Sequence, residues 1–212
     1  MKFLKPWLMI VGFLVVSANV QAQVNNSALG KVLQDYVNQL QTFEADFVQI
    51  RPDEERFVTE TSLGHFKLNR PGQLTWEYFD PEPQKIVVDG PNLWFYDMDL
   101  DQVTVRPIDD VRAELPLSWL LYQEPIQERF SIIESKSQND VQWFNLTPKQ
   151  ATYFQSIDIA MKKGEMSEIW VYQGRDNIIK VKFDNIASNQ VIPQQKFQFK
   201  VPEGADLVGS PQ

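Results

Sequence analysis

The sequence predicts a mainly β protein with two helical segments. Three observations carry this: many short stretches alternate apolar and polar residues, turn formers separate them, and only one long stretch has helical periodicity. Strands are expected at about 43–50, 57–70, 73–79, 84–89, 92–97, 102–106, 130–136, 140–147, 154–162, 167–173, 177–184, 186–191 and 195–200. Between them stand RPG, DG, KKG, GRDN and DN, whose glycine, proline and asparagine favour turns. Strands at such regular spacing form a sandwich, a barrel or one large curled antiparallel sheet.

The helix comes first. Ser27 to Phe43 places Leu29, Val32, Leu33, Tyr36, Val37, Leu40 and Phe43 on one face, with Asn26 or Ser27 as the cap. The second segment, DDVRAELPLSWLLYQEP at 109–125, interrupts the strands. Pro116 suits a first helical turn, Leu117, Trp119, Leu120, Leu121 and Tyr122 follow, and Pro125 stops the run. Such a helix, apolar nearly all round, is either a crossover packed on the core or a plug capping the concave side of a curled sheet. The tail EGADLVGSPQ is expected to be loose at its end.

Lys2 and Lys5, the apolar run Trp7 to Val16 and the small-residue end at Ala22 read as a secretory signal over 1–22, followed by a single domain over 23–212. No cysteine occurs, which removes disulfides, metal thiolates and thiol nucleophiles. It also removes the acylation site a bacterial lipoprotein needs after its signal, so the mature chain is expected to be soluble in an exported space. A net charge of −8 argues against nucleic acid and anionic lipid surfaces as partners.

No catalytic, cofactor or metal site emerges. His65, the single histidine, falls on a polar strand face and reads as solvated. DMDLD at 97–101 begins like a calcium loop, but Gln102 stands where that loop needs glycine and Ile108 where it needs glutamate; it reads as an acidic hairpin turn. No GxSxG, Walker or GxGxxG element occurs. Large apolar surface is abundant instead. Leu74, Trp76 and Tyr78 share one strand phase, and Ile86 with Val88 and Trp94 with Tyr96 extend that row, as plain core or as the wall of a cavity. Arg70 is the anomaly, because it shares its strand face with Phe66 and Leu68. Either its stem lies on apolar neighbours at a strand end, or it latches something that opens.

Residues 64–103 resemble the periplasmic outer-membrane lipoprotein carrier family, LolA. The matching elements are Gly64, Arg70-Pro71 with Trp76 behind it, the Asp89-Gly90 turn, Leu93-Trp94-Phe95-Tyr96-Asp97 and Gln102-Val103. Further matches are ADFVQ at 45–49, LPLSWLL at 115–121 and LTPK at 146–149. The resemblance implies a curled, incompletely closed antiparallel β-barrel with an N-terminal helix and a short helical lid over a hydrophobic cavity. It implies a periplasmic monomeric chaperone, not an enzyme and without cofactor or metal, that takes acylated lipoproteins from an ATP-driven inner-membrane releasing complex. Delivery is to a lipid-anchored outer-membrane receptor of the same fold. Arg70 aligns with an arginine that latches the lid. The implied acyl-chain cavity comprises Phe47, Phe66, Leu68, Leu74, Trp76, Tyr78, Ile86, Val88, Trp94 and Tyr96. The implied lid comprises Leu115, Leu117, Trp119, Leu120 and Leu121. A lipid-sensing module of the same fold and a hydrolase with an unrecognised site are the competing readings.

Overall fold

The structure, a computed structural model, describes residues 31–53, 58–112, 115, 117–174 and 177–212. The expected signal at 1–22, the cap at Asn26 or Ser27, and Pro116 lie outside these residues. Residues 31–39 form a helix, α1. Leu33, Val37 and the following Leu40 are buried, whereas Val32, expected on the same face, is 49% exposed. Phe43 belongs to the first strand and not to the helix. From Thr42 onward, Phe43, Ala45 and Phe47 are buried between the less enclosed Glu44 and Asp46, a two-residue period that overrides the helical one.

Among the described residues, twelve strands then form one sheet. They are β1 (Thr42–Asp53), β2 (Val58–Asn69), β3 (Gln73–Asp80), β4 (Gln84–Val88), β5 (Asn92–Asp97), β6 (Gln102–Pro107), β7 (Phe130–Gln138), β8 (Val141–Pro148), β9 (Ser156–Lys162), β10 (Glu165–Tyr172), β11 (Ile178–Ser188) and β12 (Asp206–Val208). Their spatial order is β12-β6-β5-β4-β3-β2-β1-β11-β10-β9-β8-β7, antiparallel throughout except for the parallel β12–β6 pair. The sheet is curled and open. Chain order therefore matters: β6 and β7, consecutive in sequence, lie towards opposite edges of the sheet. The segment joining them crosses the open side and, among the described residues, carries three single-turn helices, α2 (Ile108–Val111), α3 (Ser118–Leu121) and α4 (Ile126–Arg129).

Register sorts the side chains by face. Opposite one another stand Phe66 and Trp76, Leu68 and Leu74, Leu74 and Val88, and Ile169 and Val181. With α1 and the crossing segment these residues form the main core. Gly64 admits the Phe47 ring on this face; a Cβ there would stand 2.4 Å from Phe47 Cζ and 2.1 Å from the Glu77 carbonyl oxygen.

The outer face of β4–β6 holds a second core of Val87, Trp94, Val103 and Val105, with Tyr96, Phe199 and Ala205 against it. This corrects the expected phase of β5. Val88 opposes Leu93 and Ile86 opposes Phe95, so Leu93 and Phe95 continue the inner row while Trp94 and Tyr96 point outward. Both phases of LWFY are apolar, so alternation has no sign there. Two strands expected at 177–184 and 186–191 are the single β11, in which Asn185, at φ 54°, makes a bulge and not a turn. The expected strand at 195–200 is a 3-10 turn, Gln194–Phe197, following Pro193 and bonded from the Thr75 hydroxyl to the Lys196 carbonyl at 2.9 Å. The tail is not loose. It pairs as β12, and the Gln212 N–H donates to Asn92 Oδ1 at 2.8 Å.

Candidate functional site

Inside the curl lies a cavity of about 230 Å³. Leu74, Trp76, Tyr78, Ile86 and Val88 line it from β3 and β4, joined by Leu93 of β5. Ile169 and Val171 of β10 and Ile179 and Val181 of β11 line it from the other arm of the sheet. Leu115, Leu117 and Leu121 of the crossing segment close it. Its polar lining includes Gln49, which accepts a hydrogen bond from the Tyr78 hydroxyl at 3.0 Å, and Gln173.

Several residues expected at the cavity lie elsewhere. Phe47, Phe66 and Leu68 are buried in the adjoining core; the Phe47 and Phe66 rings meet Trp76 edge-on at 5.3 and 4.9 Å and hold that wall in place. Trp94 and Tyr96 are on the outer face, for the register reason given above. In the lid, Trp119 and Leu120 are fully buried but do not line the cavity. Leu93 was findable by counting phase from Val88 across the Asp89-Gly90 hairpin. The residues of β10 and β11 were legible as strand residues, but only curling of the sheet sets them opposite β3 and β4.

Arg70, at the end of β2, is 6% exposed. Its Nη1 donates to the carbonyls of Val37 and Leu40, the latter at 2.7 Å. These are carbonyls at the C-terminal end of α1, which lack helical partners. The arginine thus fastens α1 and not residues 115–122. The turn it begins reaches the lid by another route, because the Gly72 N–H donates to the Leu121 carbonyl at 3.1 Å. Gly72 has φ +79°, and a Cβ there would meet the Tyr122 ring at 3.3 Å. Burial pushes the Arg70 guanidinium down to about 10, with the Tyr36 phenol acting in the opposite sense. It is charged at neutral pH.

The lid is bound within itself by one carboxylate. Arg112 donates to Glu124 Oε1 through Nε and Nη2 at 3.1 and 2.8 Å, and Arg129 Nη1 donates to Glu124 Oε2 and to the Ser118 hydroxyl. Arg112 also lies 3.8 Å over the Tyr122 ring. Besides the Gly72–Leu121 bond, a link runs to α1: the Ile126 N–H donates to Gln34 Oε1 at 2.8 Å. Among the described residues, the buried polar side-chain atoms without a hydrogen bond are Arg70 Nε and Nη2, Trp76 Nε1, Trp119 Nε1 and Tyr122 Oη. They belong to Arg70, the cavity wall and the crossing segment.

His65 lies on the outer face, its ring nitrogens 2.8 Å from Asp46 Oδ1 and 2.9 Å from Glu44 Oε1. The 97–101 stretch is a turn between β5 and β6, with Asp97 Oδ1 accepting the Asp99 and Leu100 N–H groups at 3.1 Å. No group of three or more metal-ligating side chains occurs among the described residues. No helix among them is long and apolar enough to cross a membrane.

A curled, open β-sheet whose hollow is closed by the chain's own interstrand helices defines a class of cavity proteins. Residues 38–200 match the outer membrane lipoprotein carrier protein LolA family, and the chain belongs to that family. It is 34% identical to an outer-membrane lipoprotein carrier protein of Legionella pneumophila, over 92% of this chain and 97% of the relative. It is 28% identical to one of Nitrosospira multiformis, over 98% and 99%. A conserved protein of Thermus thermophilus shares the fold, with a TM-score of 0.55 at 12% identity over 85% of this chain and 98% of that one.

Proposed function

We propose that the protein is a periplasmic carrier that takes up the acyl chains of lipoproteins and gives them up again at the outer membrane. The observation that carries this reading is the apolar cavity closed by Leu115, Leu117 and Leu121. Its volume of about 230 Å³ falls below the roughly 300–1,000 Å³ of ordinary ligand sites, so long chains enter only when the lid moves aside. Replacement of one set of apolar contacts by another is what a carrier needs. Burial contributes about 0.8 kcal/mol per CH₂, so three long chains represent roughly 30 kcal/mol gross, above the roughly 20 at which non-covalent affinity saturates. A site collecting all of it would never release its cargo, whereas one that first gives up lid contacts binds with modest net affinity.

The partners follow from the same reading: acylated lipoproteins as cargo, an ATP-driven releasing complex as donor, and a lipid-anchored receptor of the same fold as acceptor. Residues 1–22 serve as an export signal and 23–212 as one domain. The lack of any cysteine favours the carrier over the lipid-anchored receptor. Mass spectrometry of material that co-purifies from periplasmic extract tests this function. Intact acylated proteins support it; free lipid alone favours a lipid sensor, and neither overturns lipid carriage.

A further inference from the structure

We propose that the groove beside the lid, along the open side of the sheet, is a second subsite. It holds the glyceryl-cysteine head and first peptide residues of an acylated polypeptide while the chains lie in the cavity. The proposal rests on the carrier reading and adds a place for the polar half of the ligand. The groove, of about 810 Å³, has Leu93 and Arg106 of β5 and β6 on one side and Ala151, Thr152 and Tyr153 of the β8–β9 connection among its other residues. Leu93, Leu115 and Tyr153 line both groove and cavity, so the two spaces adjoin.

Chemistry divides the ligand where the structure divides the space. The cavity lining is dominated by leucine, isoleucine, valine and aromatic side chains, which suits hydrocarbon. Ester and amide groups carried into such a lining forfeit their hydrogen bonds to water, and a folded polypeptide is far too large to follow. The polar head must therefore stop at an exit that adjoins the cavity and is wet. The groove meets both conditions: Ala151, Thr152 and Tyr153 are exposed, and Arg106 brings a cation to its lining. Its shape is held by local contacts, since the Thr152 hydroxyl donates to the Phe154 carbonyl at 2.6 Å and the Tyr153 ring stands edge-on to Phe154 at 5.3 Å.

The test is an Ala151→Trp variant, which fills the groove from an exposed position. Binding of a synthetic triacylated cysteinyl peptide and of palmitate, a probe with a hydrocarbon chain but no peptide, is measured by calorimetry on variant and wild type. The expected result is about a tenfold or greater loss of affinity for the peptide, with palmitate affinity unchanged within about twofold. Retained palmitate binding also certifies the fold. Undiminished peptide affinity in the variant overturns the subsite and leaves the carrier reading standing, and equal loss of both probes overturns it too, by making residue 151 part of the cavity. A wild type that binds neither probe overturns the carrier reading itself, and the subsite with it.

Discussion

Arg70 is held by α1 carbonyls on one side, while two of its donor nitrogens are buried without a hydrogen bond among the described residues. A charged hydrogen bond contributes about 1.5–3 kcal/mol, and a buried donor left unpaired costs about 1–3. The hold of Arg70 on α1 is therefore a balance of comparable opposed terms. Arg70→Leu removes the bonds to Val37 and Leu40 and is expected to free the end of α1, shift the population towards open and make the protein retain cargo. Transfer of a labelled lipoprotein to the receptor measures this, and wild-type transfer rates would rule the latch out. Gly64 makes a purely structural counterpart. Gly64→Ala is expected to lower stability by about 2 kcal/mol or more, read in chemical denaturation, because the Phe47 ring and the Glu77 carbonyl occupy the Cβ position. Arg70 was legible as an anomaly because its charge broke a period-two pattern; its partner was not, since nothing local links position 70 to Val37 and Leu40, 33 and 30 residues away.

At the scale of elements, Glu124 accepts from Arg112 and Arg129, and Arg129 donates to Ser118, so the ends of α2, α3 and α4 share one polar tie while Leu115, Leu117 and Leu121 face the cavity. That division separates two substitutions that the sequence alone would treat alike. Leu117→Asp, at a partly buried cavity position, is expected to abolish acyl-peptide binding with near-normal thermal unfolding. Trp119→Asp, in the main core, is expected to unfold the chain, because an unpaired buried charge costs several kcal/mol. Circular dichroism with binding on both variants checks the pair.

On the outer face, β1 and β2 are joined by another polar group. Partial burial raises the Glu44 carboxyl, but His65 and Lys67 more than reverse this, and Asn185 with His65 holds Asp46 below the usual carboxylate range. Depressed folded-state values mean that both carboxylates stabilise the fold above their ordinary range and cease to do so as pH falls through the lowered values. An acid titration of stability should therefore fall less steeply for Glu44→Gln/Asp46→Asn than for wild type. The strands themselves were legible because one phase is apolar and the other charged. β5 was misread for the opposite reason: Leu93, Trp94, Phe95 and Tyr96 are apolar in both phases, and the outward pair is covered by Phe199 from more than 100 residues later.

For the whole molecule, strand order is what turns a sheet into a container. With β6 and β7 towards opposite edges, the chain between them must cross the open side, and its leucines occupy the hollow that the curl creates. Composition and spacing announced many strands and an apolar interruption. They were silent on closure, because which strand of β1–β6 faces which of β7–β11 is set by tertiary curling and not by any local pattern. The C-terminal tail was misjudged for a similar reason: Asp206–Val208 is too short to read as a strand without β6 beside it.

Carriage of this kind requires that the lid fill the cavity until acyl chains displace it, and a distance across the lid reports that exchange. Because the chain has no cysteine, Gln123→Cys on the lid and Glu82→Cys on the β3–β4 turn can carry a spin-label pair whose separation is measured with and without triacylated cysteinyl peptide. A single distance is expected in the empty protein and a shifted one at saturation. Saturable peptide binding with an unchanged distance distribution would refute displacement of the lid.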